Sequence, residues 1–179
     1  MFIEKLIHEI AIPEGVTVDC KTSNVKISGP RGDIARKFEH DDISFTQKKE
    51  CIRIIGEKLR RKEKALIGTW KAHVSNMIKG VNTGFQYQMK IVFAHFPMKV
   101  SVKGNRVNID NFLGERATRK ADIAKGVDVN VKGDSITIEG NDIEGVGQTS
   151  ANIEKATVVK GRDTRVFQDG IYIVSKGGG

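Results

Sequence analysis

Apolar and polar residues alternate in short runs through both halves of the chain. Val16-Thr17-Val18 and Val25-Lys26-Ile27 follow the period of two that sends successive side chains to opposite faces of a strand, and Gly32 comes after them. The same series returns as Val100-Ser101-Val102, Val107-Asn108-Ile109 and Gly114, displaced by 84, 82 and 82 positions. Farther on, Ile52-Arg53-Ile54-Ile55-Gly56 has its counterpart 84 positions later in Ile136-Thr137-Ile138-Glu139-Gly140. A repeat at that distance predicts one structural unit present twice. Gly104-Asn105, between two of the alternating runs, is a two-residue hairpin signal.

After each set of strands the period lengthens. Leu66, Trp70, Val74, Met77 and Ile78 fall on one helical face, as do Ile143, Val146, Ser150, Ile153 and Thr157. Gly68 and Gly147 bring these helices into line at an offset of 79, so the preceding loops differ in length. Asn141 with Glu144 three residues on predicts a capping box, and Lys79-Gly80 predicts a cation in the last turn of the first helix and a glycine stop. The expected fold class is α+β: two tandem duplicated domains, 1–83 and 84–179, each a mostly antiparallel sheet packed with one helix. With 39% hydrophobic content, 179 residues suffice for two such cores.

Charge changes the picture. Lys and Arg number 30 against 22 Asp and Glu, and the net charge of +8 is spread over both halves. That balance favours a polyanionic partner over an acidic small substrate. Two cysteines, Cys20 and Cys51, without a Cys-x-x-Cys pairing argue against a disulfide framework and a zinc site and suit a reducing compartment. No apolar run approaches the roughly 18 residues of a membrane span, and Glu4 and Glu9 break a signal peptide's charge pattern. A soluble intracellular protein with no membrane partner is the expectation.

Candidate catalytic chemistry is sparse. His8, His40, His73 and His95 are scattered singly, and Asp41-Asp42 beside His40 lacks the further oxygen ligands that a calcium site needs. Gly145-Val146-Gly147 falls inside the second helical pattern and reads as close helix-sheet packing rather than a nucleotide loop. Gly29-Pro30-Arg31-Gly32 matches the G-x-x-G string of one RNA-binding module, but flanking strands make it a tight turn. No enzyme and no cofactor are expected. An enzyme assembled from distant residues would need Asp42, His73 or His95 in one concave pocket.

The densest basic run is Lys58, Arg60, Arg61, Lys62 and Lys64, where the first helix should begin. Cations there oppose the positive end of the helix dipole, which an outside anion would relieve, although a solvated basic face explains the run equally well. Lys155, Lys160, Arg162 and Arg165 run from the end of the second helix into a polar, extended segment suited to phosphates. Lys176-Gly177-Gly178-Gly179 buries no apolar area and predicts a mobile tail, with Lys176 a weaker RNA-binding candidate. Trp70 lies on the core face and only two tyrosines occur, so binding to folded RNA by shape and charge is favoured over base stacking.

Six motifs, in this order, resemble the universal large-subunit ribosomal protein six family, called protein nine in eukaryotic ribosomes. They are Ser28-Gly29-Pro30-Arg31-Gly32, Met77-Ile78-Lys79-Gly80-Val81, Ala94-His95-Phe96-Pro97, Asn111-Phe112-Leu113-Gly114-Glu115, Glu139-Gly140-Asn141-Asp142-Ile143-Glu144 and Asp169-Gly170-Ile171-Tyr172. The resemblance covers nearly the whole chain. It implies two related domains and a structural, non-enzymatic role in the large ribosomal subunit of the cytoplasmic ribosome. It further implies that the C-terminal domain is docked on ribosomal RNA near the translation-factor-binding region and its sarcin-ricin loop, with neighbouring ribosomal proteins beside it. Lys160, Arg162 and Arg165 match the family's segment after the second helix, and Val159 to Phe167 is closer to the archaeal and eukaryotic branch than to the bacterial one. The alternative is a free RNA-binding regulatory protein, against which the lack of an aromatic base-reading platform counts.

Overall fold

The computed structural model describes residues 3–21, 24–48 and 51–178. The chain divides into two compact units, Met1–Thr83 and Gly84–Gly179.

Among the described residues of the first unit, six strands precede a helix. They are β1 (Ile3–Ala11), β2 (Thr17–Lys21), β3 (Asn24–Gly29), β4 (Gly32–Lys37), β5 (Ile43–Gln47) and β6 (Cys51–Leu59), followed by α1 (Arg61–Asn82). Every pairing is antiparallel, but the strands form two sheets, β1-β6-β5 and β2-β3-β4, where alternation alone suggests one. In β3 the alternation sorts the faces directly: Val25 and Ile27 are buried while Asn24 and Lys26 are exposed. From α1, Ile67, Trp70, Val74, Met77, Ile78 and Val81 complete the core. Trp70 stacks on Phe45 at 5.4 Å between centroids and meets Phe38 tilted at 5.2 Å.

The expected stop at Gly80 is corrected. Gly80 lies buried inside α1, which runs to Asn82 because Val81 is a fully buried core residue. Thr83 caps the helix and Gly84, at φ +81°, takes the left-handed turn that glycine allows. Gly29-Pro30-Arg31-Gly32 is the β3-β4 hairpin turn. It sits on the end of α1: Arg31 N donates to Val81 O at 3.1 Å, and a Cβ on Gly29 would stand 2.8 Å from that oxygen.

The second unit contains β7 (Phe85–Val92), β8 (Lys99–Lys103), β9 (Arg106–Asp110), a 3₁₀ turn at Phe112–Gly114, β10 (Arg119–Asp122), β11 (Val127–Lys132), β12 (Ser135–Gly140), α2 (Ile143–Ala156) and β13 (Gly170–Gly178). Two antiparallel sheets, β10-β9-β8 and β11-β12-β7-β13, share the helix. Gly104, at φ +57°, makes the tight β8-β9 hairpin turn that Gly104-Asn105 predicts. The N-cap of α2 is Asp142 rather than Asn141: its carboxylate accepts from the amides of Glu144 at 3.1 Å and Gly145 at 3.3 Å. Gly145 does pack closely, since a Cβ there would lie 3.2 Å from Val127, whereas Gly147 has open space around it.

The mobile tail is also corrected. Lys176, Gly177 and Gly178 belong to β13 and pair with Tyr87, Gln86 and Phe85, while Gly179 lies outside the described residues. Backbone hydrogen bonding needs no apolar side chain, and fully buried Ile171 anchors the strand's start with about 1.5–3 kcal/mol of burial.

Candidate nucleic-acid interface

The segment between α2 and β13, residues 157–169, carries Lys160, Arg162 and Arg165, and the fold holds both of its ends. Thr157, which caps α2, is buried; its hydroxyl donates to Glu154 O at 3.1 Å and accepts from Ile171 N at 3.0 Å. One side chain thereby joins the end of the helix to the start of the strand.

Arg119 pins the same junction from β10. Its Nη1 donates to the carbonyls of Ala156 at 2.9 Å and Val158 at 3.1 Å, while Nε and Nη2 grip Glu115 at 2.8 and 2.6 Å. The guanidinium also lies 4.2 Å above the centre of the Phe112 ring. The Arg119 hydrogen bond holds the Glu115 carboxyl below the usual range, with Arg162 adding to the effect. Glu115 is presented by a turn in which Asn111, Leu113 and Gly114 all have positive φ, at 60°, 52° and 78°. A left-handed leucine costs about 1–2 kcal/mol, which the burial of Leu113 and Phe112 offsets.

At the other end, Asp169 is fully buried and binds the strand-exit loop after β7. Its carboxylate accepts from His95 N at 3.3 Å and lies 2.9 Å from His95 Nδ1. Burial pushes the Asp169 carboxyl up, but hydrogen bonds from the His95 ring and from the Ala94 and His95 amides outweigh it and hold the group below its ordinary value. His95 stacks on Phe167 at 4.5 Å, and the Arg162 guanidinium lies 4.8 Å over that ring. The His95 side chain, with Nδ1 turned to Asp169, is 32% exposed.

Between these anchors the chain turns at Asp163. Its backbone oxygen accepts from Val166 N and Phe167 N, and its carboxylate accepts from Arg165 N, Nε and Nη2 at 2.9–3.1 Å. The Arg165 hydrogen bond lowers the Asp163 carboxyl, yet the arginine side chain remains 89% exposed.

The sequence-selected residues separate into two groups. Lys155, Lys160, Arg162 and Arg165 are exposed along one continuous stretch of the second unit, and Lys176 is exposed on β13. Arg60, Arg61 and Lys62 belong to the first unit, at the N-cap and first turn of α1; the Lys58 side chain lies outside what is described. Arg60 N donates to Glu63 Oε2 at 2.8 Å, so an acid already partners the start of this helix. Sequence reasoning passes over His95, Phe167, Asp169, Arg119 and Glu115 as parts of an interface. The signal for His95, Glu115 and Asp169 lies in the Ala94-His95-Phe96-Pro97, Asn111 to Glu115 and Asp169 to Tyr172 motifs, whereas Arg119 and Phe167 stand outside them.

Of the catalytic candidates, Asp42 and His73 belong to the first unit and His95 to the second. His73 Nδ1 is 3.2 Å from Arg36, and His40 Nδ1 accepts from Asp42 N at 3.2 Å, both within the first unit. Among the described residues no three His, Cys, Asp or Glu side chains gather to hold a metal ion. Among those residues, too, no helix is long and apolar enough to cross a membrane.

The family model for ribosomal protein L6 matches the chain twice, over residues 12–84 and 96–170. Large ribosomal subunit protein uL6 of Methanobrevibacter smithii is 54% identical over 169 residues, 94% of this chain and 95% of that protein. The proteins of the same name from Methanococcus vannielii and Methanothrix thermoacetophila are 46% and 44% identical, covering 96% and 97% of this chain and 94% and 99% of their own lengths.

Proposed function

The chain belongs to the ribosomal protein L6 family, and on that premise we propose that its second unit holds folded large-subunit ribosomal RNA with Lys155, Lys160, Arg162, Arg165 and Lys176. Its role is that of a structural, non-enzymatic constituent of the ribosome, a cytoplasmic particle, with ribosomal RNA and ribosomal proteins as partners. One observation carries the finer reading. Thr157 and Asp169 fix the two ends of the 157–169 segment from inside the unit, while Lys160, Arg162 and Arg165 are exposed to solvent. A segment ordered in advance loses less entropy when it meets phosphates.

Arg60, Arg61 and Lys62 supply a second phosphate contact from the first unit. The RNA lies near the translation-factor-binding region and its sarcin-ricin loop, as the resemblance to the family implies, and translation factors are transient neighbours there.

Binding of the purified chain to large-subunit ribosomal RNA across a salt series tests the assignment. Replacing Lys160, Arg162 and Arg165 by Ala is expected to weaken binding and to flatten the slope of log K against log salt by about one unit per lost phosphate contact. An unchanged slope would remove these residues from the interface.

A further inference from the structure

Among the described residues, the duplication leaves one sheet edge covered in the second unit and uncovered in the first. In the second unit β7 lies between β12 and β13. Its counterpart β1 pairs with β6 in the same antiparallel manner, yet among the described residues no strand pairs with its other edge. Residues 4–11 therefore present a row of backbone donors and acceptors of the kind that recruits another strand.

The side chains say which strand. Lys5, Ile7 and Glu9 lie on the face opposite the buried residue Ile10, and all three are exposed, Ile7 by 45%. Lys5 faces Glu57 across the ladder, Ile7 faces Ile55, and Glu9 faces Arg53, with both charged pairs forming ion pairs. Charged side chains blunt many exposed edges against association, but here the two charges on the outer face have opposite signs and flank Ile7. This one is self-complementary about Ile7.

We propose that the free protein pairs with a second copy of itself, β1 against β1, antiparallel and centred on Ile7. In that register Ile7 meets Ile7, and Lys5 of each copy lies opposite Glu9 of the other. Each outer row then alternates in sign across four strands, Glu57, Lys5, Glu9 of the second copy and Arg53 of the second copy. Shifting the register by two residues in either direction places Lys5 or Glu9 opposite Ile7, so only one pairing satisfies the charges. On the other face Leu6 lies opposite His8, and Glu4 opposite Ile10 falls at the ends of the paired stretch. The contact is isologous and closes after two copies into one six-stranded sheet.

Sedimentation equilibrium of the RNA-free, full-length protein reads this directly. The wild-type chain is expected to show a monomer-dimer equilibrium. Lys5→Glu sets a second carboxylate opposite Glu9, and Glu9→Lys sets a second ammonium opposite Lys5, so each variant alone should dimerise about tenfold more weakly. Mixed in equal amounts they should recover wild-type association, because the mixed pair has opposite charges in both rows. Circular dichroism verifies that both variants fold, as expected for exposed positions. A wild-type chain that stays monomeric overturns the proposal and leaves the edge to a strand of a different protein. Dimers indifferent to either charge, or variants that fail to recover when mixed, overturn it as well.

Discussion

Asp169 keeps a charged carboxylate with no exposed surface, and three donors explain how. The His95 ring and the amides of Ala94 and His95 hold it below its ordinary value against the opposing effect of burial. A carboxyl lowered in the folded state contributes stability that is fully present above its unfolded value, about 3.9, and is lost as pH falls through the lower folded value. Asp169→Asn should therefore cost about 1–3 kcal/mol at neutral pH. It should also flatten the acid limb of stability below about pH 4 relative to wild type. Urea unfolding of both proteins over that range checks the difference; parallel acid limbs would mean that Asp169 titrates alike in the folded and unfolded states. The pairing was not legible in the sequence, since His95 and Asp169 are 74 positions apart and stand in separate motifs, with nothing local to join them.

At the scale of elements, the repeated hairpins and both helices follow from alternation and helical spacing, because those periods are local properties of the chain. The division of each unit into two sheets does not, since it depends on which distant strands meet. Strand β13 escapes for a different reason: Lys176-Gly177-Gly178 has poor strand propensity, and its pairing with β7 is set by backbone hydrogen bonds and by buried Ile171. The 157–169 connection illustrates how elements order a segment that has no regular structure of its own. Through one guanidinium, Arg119 joins β10, the end of α2 and the Asn111 to Glu115 turn. Lysine cannot reproduce that fork. Arg119→Lys should speed amide exchange in residues 158–167 and weaken RNA binding without removing a charge. Amide exchange that matches wild type would show that the segment is held by Thr157 and Asp169 alone.

For the whole molecule, the net charge of +8 names the class of partner, but charge alone does not separate binding cations from solubilising ones. Lys160, Arg162 and Arg165 stand on a segment braced at both ends, and Arg60, Arg61 and Lys62 stand at a helix start where Glu63 accepts from the Arg60 amide. On the proposed assignment this braced segment keeps the protein on large-subunit RNA. Sedimentation of cell lysates through sucrose gradients at moderate and high salt, with and without ribonuclease, tests it most directly when wild type is run beside the Lys160, Arg162 and Arg165 triple alanine variant. Wild type should travel with the large subunit at both salt concentrations and leave it on RNA digestion, while the variant is released at high salt. A variant that stays with the subunit as firmly as wild type would contradict the account.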